Sequence, residues 1–122
     1  MANEITVSLT LAVANGKISE RHQASFRADQ ATAAGPGPGY QVIGTTHEAI
    51  TVADVANKGF AFIKNLDDAN FVELGIDNAG TFVPLLRLKA GEAAVCRFAP
   101  TANIYARANT APVAIHAMIY SE

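Results

Sequence analysis

The sequence predicts an all-β fold, an antiparallel β-sandwich of jelly-roll type with eight to ten short strands. Three observations carry this. Residues 60–120 divide into strand-sized pieces of five to nine residues joined by connections of two to four. Residues 4–13 alternate cleanly between large apolar and small side chains. The connections are rich in Gly, Pro, Asn and Asp, and no segment shows convincing helical spacing.

In the first strand Ile5, Val7, Leu9, Leu11 and Val13 share one face, and Thr6, Ser8, Thr10 and Ala12 the other. Asn15-Gly16 then supplies positive φ for a tight hairpin turn. The second strand, 18–28, mixes Ile18, Ala24 and Phe26 with Glu20, Arg21, His22 and Arg27, which predicts an edge or a partly exposed strand. Residues 31–39 hold no large apolar side chain, and their prolines cannot join a central ladder, so they predict a long loop. Short strands resume at 40–43 and 47–53.

The regular array follows, at 60–66, 71–77, 81–89, 93–99, 103–109 and 112–120. In its last piece Val113, Ile115, Ala117 and Ile119 oppose His116, Met118 and Tyr120. In 81–89 both faces are apolar: Phe82, Pro84, Leu86 and Leu88 against Val83 and Leu85. That pattern asks for a central position or a covered outer face, whereas Pro84 asks for an edge or a bulge. A neighbouring subunit lying over the strand reconciles the two. Val83, Pro84 and Leu85 are therefore the predicted oligomer contact.

A chain of 122 residues predicts a single domain, 1–122, able to bury a core without staples. Only 16% of the residues are charged, against roughly 25% in ordinary soluble domains, so part of the surface is expected to be covered by an oligomer or a docked partner. A net charge of −2 gives no electrostatic reason to expect nucleic acid or an anionic membrane as partner. No apolar run approaches the roughly 18 residues of a membrane-spanning helix, and the start lacks the basic region of a signal peptide.

No cofactor or metal is expected. His22, His47 and His116 lie in no metal-binding spacing. Cys96 is the sole cysteine, and alternation groups it with Ala94 and Phe98 as a small buried thiol. The acidic segments 67–70 and 77–80 lack the length and the closing Glu of a calcium loop, and Asp, Asn and Gly are what tight turns require. Gly35, Pro36, Gly37, Pro38 and Gly39 lack the Lys-Ser/Thr ending and the backbone donors of a phosphate cradle. That stretch reads either as a projecting arm docked on a neighbour or as a solvated linker. Neither a Ser-His-Asp set nor a nucleophile elbow occurs, so no enzyme is expected.

Several stretches resemble small structural proteins of tailed bacteriophages: 39–49, 59–67, 70–75, 88–92, 104–108 and the ending Ile119-Tyr120-Ser121-Glu122. The resemblance implies a virion component of β-sandwich or jelly-roll type, made in the host cytoplasm. Such proteins often serve as capsid decoration, or cement, proteins, commonly as homotrimers seated where capsomers meet. On that reading the partners are further copies of the chain and the major capsid protein or another virion protein. Gly35 to Gly39 would touch the capsid, while Val83, Pro84 and Leu85 would join subunits. A tail- or fibre-associated module binding a host glycan or protein is the second expectation. A cupin-like enzyme, whose ligand spacing is missing, is the third.

Overall fold

The computed structural model describes all residues except Met1, Ala2, Ala53 and Asp54. It is all-β, with ten antiparallel strands and no helix among the described residues. The strands are β1 (Ile5–Asn15), β2 (Ile18–Ala28), β3 (Gly37–Ile43), β4 (Glu48–Ala49), β5 (Lys58–Asn65), β6 (Val72–Asn78), β7 (Thr81–Leu88), β8 (Ala93–Arg97), β9 (Tyr105–Ala108) and β10 (Val113–Ser121). The predicted strand 47–53 is realised only at Glu48–Ala49, and its expected end, Ala53, lies outside the described residues.

The chain divides into two compact units, residues 1–32 and 33–122. The reason is visible in the pairing. Among the described residues β1 and β2 pair only with each other, in register from Ile5↔Ala28 to Asn15↔Ile18, and form a sheet of their own. Their turn is Gly16-Lys17. Gly16 has φ +58°, whereas Asn15 remains in the ladder without positive φ, so the glycine alone supplies the unusual conformation expected of both. At the open end the Asn3 amide donates to Asp29 Oδ1 (2.6 Å) and the Gln30 amide to Glu4 Oε1 (3.0 Å). These side chains take up backbone groups where the ladder stops.

Residues 33–122 form a sandwich of two four-stranded sheets, ordered β3-β10-β5-β8 and β4-β9-β6-β7. Alternation selects the core. Val113, Ile115, Ala117 and Ile119 of β10, with Ala61 and Ile63 of β5, point inward from the first sheet. Val72 and Leu74 of β6, Leu88 of β7 and Ala106 and Ala108 of β9 meet them from the second. The alanines leave room for the branched chains opposite. Complete burial of a Val, Leu or Ile side chain stabilises by about 1.5–3 kcal/mol, which makes this layer the chief driving force of the unit.

Asn65 is also fully buried, and its amide is consumed by the backbone. Its Nδ2 donates to the carbonyls of Asn70 (2.9 Å) and Leu88 (3.0 Å), while its Oδ1 accepts from the Asp67 amide (2.8 Å). One side chain thus ties the end of β5 to the end of β7 through the turn at 67–70.

Two loops behave differently from expectation or explain it. Residues 37–39 of the predicted loop 31–39 are rungs of β3, opposite Ile119, Met118 and Ala117. Pro38 is tolerated because β3 is an edge strand. Just before it, Gly35 has φ +106°, and a Cβ there would meet the Ile119 carbonyl at 2.7 Å and Tyr120 Cα at 2.9 Å. The segment lies tightly against β10, so of the predicted loop 31–39 only residues 31–36 lie outside a strand. Strand β7 is likewise an edge, not a central strand. The register steps from Leu74↔Leu86 to Gly75↔Pro84, leaving Leu85 as an extra residue in a bulge. The bulge reverses the alternation: Val83 pairs with Ile76 on one side of it, and Leu86 and Leu88 pair with Leu74 and Val72 on the other. The two apolar faces of 81–89 come from this change of phase.

Candidate functional site

The outward faces of the two sheets differ in chemistry. On the second sheet, the out-facing residues of β6, β7 and β9 knit into one layer. Glu73 is buried between two arginines. Its Oε2 accepts from Arg87 Nε (3.2 Å) and Nη2 (2.9 Å), and its Oε1 accepts from Arg107 Nη2 (3.0 Å). The Arg87 guanidinium lies 4.0 Å over the Phe71 ring, and that of Arg107 lies 4.7 Å over Phe82. Burial pushes the Glu73 carboxyl upward, but the hydrogen bonds and charges of Arg87 and Arg107 outweigh it and hold the group below its ordinary value.

The same layer contains the best-formed histidine site. His47 stacks on Phe82 at 5.5 Å and tilts against Tyr105 at 5.8 Å. Its Nε2–H donates to Asp77 Oδ1 at 2.7 Å. A His–Asp pair orients an imidazole, but acyl or phosphoryl chemistry also needs a nucleophile or an oxyanion site next to the ring. Aromatic rings occupy its flanks instead. The pair packs and fixes the outer layer, with Asp77 also accepting from the Gly80 amide (3.3 Å) in the β6–β7 turn. Sequence spacing gave no sign of this pair, because thirty positions separate its members.

The first sheet is finished in the opposite way. Register places Pro38, Met118, Phe62 and Val95 in one row across all four strands. Phe62, Val95, Tyr40 and Val42 remain exposed, and His116 meets Tyr40 edge-on at 6.4 Å. This is an apolar face four strands wide.

The residues singled out from sequence fall into place as follows. Gly35 and Pro36 are exposed, whereas Gly37 is buried and Pro38 and Gly39 are half-buried in β3. Val83 is half-buried, Pro84 is exposed, and Leu85 on the bulge is 68% exposed. Cys96 points inward with Ala94 and Phe98, half-buried, and burial pushes its thiol up, away from the reactive thiolate. Asp67 accepts from the Asn70 (2.6 Å) and Ala69 (3.0 Å) amides, which lower its carboxyl pKa and mark it as a turn residue. No three His, Cys, Asp or Glu side chains converge among the described residues. Of the three predicted histidines, His22 lies in the hairpin, 3.3 Å from Glu20 Oε1.

The hairpin supplies the largest surface that sequence reasoning undervalued. Leu9, Leu11, Val13 and Ile18 are 39%, 60%, 39% and 52% exposed, although the strict alternation of β1 predicts a half-buried strand. No known family, curated protein or solved structure matches the chain.

Proposed function

We propose that this chain is a non-enzymatic structural protein of a tailed-bacteriophage virion, a decoration protein that binds the outside of the capsid shell and stabilises it. One observation carries the reading furthest: a sandwich with its own core is joined in one chain to an eleven-rung hairpin whose apolar stripe faces water. A rigid block with an extended adhesive element is what a protein needs to clamp several shell subunits. Contacts to several subunits add as effective concentration, so each one can be modest.

Further support comes from the likeness of the sequence to small phage structural proteins. The sandwich order adds to it. Counted from β3, the sheets run 1-8-3-6 and 2-7-4-5, the interleaved order of two Greek keys in a jelly roll. On this reading the apolar face of the first sheet and the exposed bulge at Val83, Pro84 and Leu85 are surfaces offered to neighbours, and Gly35 and Pro36 are the exposed part of the capsid-contact segment.

The test is an electron cryo-microscopy reconstruction of the phage particle whose genome encodes the chain. Density for the sandwich on the outer surface of the shell is the expected result. Density confined to the tail or its fibres would replace this reading with a host-binding module. A particle lacking the protein would overturn both.

A further inference from the structure

We propose that the outward face of the first sheet docks on a protein surface that is apolar at its centre and acidic at its rim. In the reading above that surface belongs to the capsid shell, and the inference rests on that reading for its partner.

Charge divides the two sheets. Strands β3, β5, β8 and β10 carry Lys58, Lys64 and Arg97 and no acidic residue. Strands β4, β6, β7 and β9 carry Glu48, Glu73 and Asp77 against Arg87 and Arg107. The second sheet satisfies its charges internally, since Glu73 holds both arginines and Asp77 holds His47. The first sheet has no strand acid with which to do the same.

Register shows where its cations stand. The central row of the outward face, Pro38, Met118, Phe62 and Val95, is uncharged from edge to edge. Lys64 stands in the row on one side of it, with His116, Tyr40 and Ala93. Arg97 stands in the row on the other side, opposite Phe60, with its guanidinium 4.3 Å over that ring. Both cations are exposed, as are Phe62, Val95, Tyr40 and Tyr120. An aromatic and methionine centre flanked by cations has the composition of an interface core with its rim. Stacking on Phe60 also holds Arg97 in place before a partner arrives, so less ordering is required on binding.

The sign of the rim selects the occupant. Glu122, just beyond β10, lies 3.9 Å from Arg97, a contact too long and too exposed to use up the guanidinium. A second copy of the chain is a poor match, because the strands of its own face bring no acid to Lys64 or Arg97. A partner with carboxylates placed around an apolar patch answers the whole face. Its apolar atoms cover the central row, and its acids reach the cations on either side. The two parts act differently: a charged rim governs encounter and its salt dependence, and a desolvated aromatic centre governs release.

The test is binding of the full-length protein to shells purified from the encoding phage with this gene deleted, at low and high salt. The parent is expected to bind. Phe62→Asp is expected to weaken binding by about tenfold or more, chiefly through faster release. Lys64→Glu and Arg97→Glu are each expected to slow association by about threefold or more and to flatten its dependence on salt. Asn78→Asp, which adds a negative charge at an exposed position of the second sheet, is expected to bind as the parent does. Thermal melts by circular dichroism establish that each variant is folded, and the two charge reversals carry the test should Phe62→Asp unfold. Parent-like binding by folded Phe62→Asp would overturn the docking face and leave the decoration reading intact. Unchanged or faster association of both charge reversals would overturn the acidic partner. An equal loss in Asn78→Asp would assign the effect to net charge and overturn the face. If sedimentation shows that Phe62→Asp abolishes self-association while shell binding is unmoved, a second copy occupies the face and the proposal fails. A parent that does not bind shells would overturn the decoration reading and, with it, the shell as occupant.

Discussion

Strands β1 and β10 follow the same rule and meet different fates. Each alternates large apolar residues with small or polar ones over nine or more positions. In β10 the apolar set Val113, Ile115, Ala117 and Ile119 is completely buried, because a second sheet lies against it. In β1 the equivalent set beyond Val7 remains exposed. Alternation is therefore a statement that a face is to be covered, not a statement of what covers it. Within one chain the two cases separate a core closed by the fold from a face that the single chain leaves exposed.

The sharpest way to break this comparison is to make the same kind of truncation in both regions. Ile115→Ala is expected to cost about 2–5 kcal/mol in chemical denaturation, as a large-to-small change in a closed core. Leu11→Ala, measured at dilutions where chains are single, is expected to cost less than about 0.5 kcal/mol. Equal losses would mean that the hairpin face is covered within one chain.

Glycines offer a second contrast. A Cβ at Gly75 would run into the Val83 carbonyl and lie 2.9 Å from Pro84 Cα, so Gly75→Ala is expected to destabilise the sandwich by about 1–3 kcal/mol. At Gly16 a Cβ would meet nothing within 4 Å, and the cost comes only from φ +58°. Gly16→Ala is expected to cost about 1 kcal/mol locally. Faster amide exchange in residues 5–28, with the melting temperature of the sandwich unmoved, is the signature to look for. Joint loss of both units would erase the distinction.

The smallest effect concerns the polar outer layer. Glu73→Gln is expected to lower stability at neutral pH by about 1–2 kcal/mol, because the arginines on either side are partly hydrated. The carboxyl of Glu73 is held below its unfolded value, so its contribution is fully present above an unfolded carboxylate pKa of about 4.3 and is lost as pH falls through the lower folded value. The difference between parent and variant in urea midpoints should therefore shrink below about pH 4. A constant difference down to pH 2 would assign the loss to packing instead of charge.

Much of the fold was legible because its signals are local. Alternation located the strands, and 77–80 and 67–70 read as turns that Asp77 and Asp67 do close with backbone hydrogen bonds. Pro84 marked an edge or bulge, and both are present. What failed to show depended on pairings across distance. The separate unit 1–32 follows from β1 and β2 finding no third strand among the described residues, which no local pattern encodes. The apolar double face of 81–89 misled because one inserted residue, Leu85, changes the phase of the strand, and period counting has no means of registering an insertion. The Glu73–Arg87–Arg107 clasp and the His47–Asp77 pair join three strands and a loop, so composition alone could not assemble them.

The blunted rims of the sandwich have a consequence for how large an assembly can grow. Its four outermost strands are β3, which carries Pro38, β8 of five residues, β4 of two, and β7, which carries Pro84 and the Leu85 bulge. None offers a long, flat row of free backbone groups to an identical neighbour. At high local concentration the sandwich is thereby shielded from fibril-like stacking. The long, clean strand edges of the described residues are instead those of the β1–β2 hairpin.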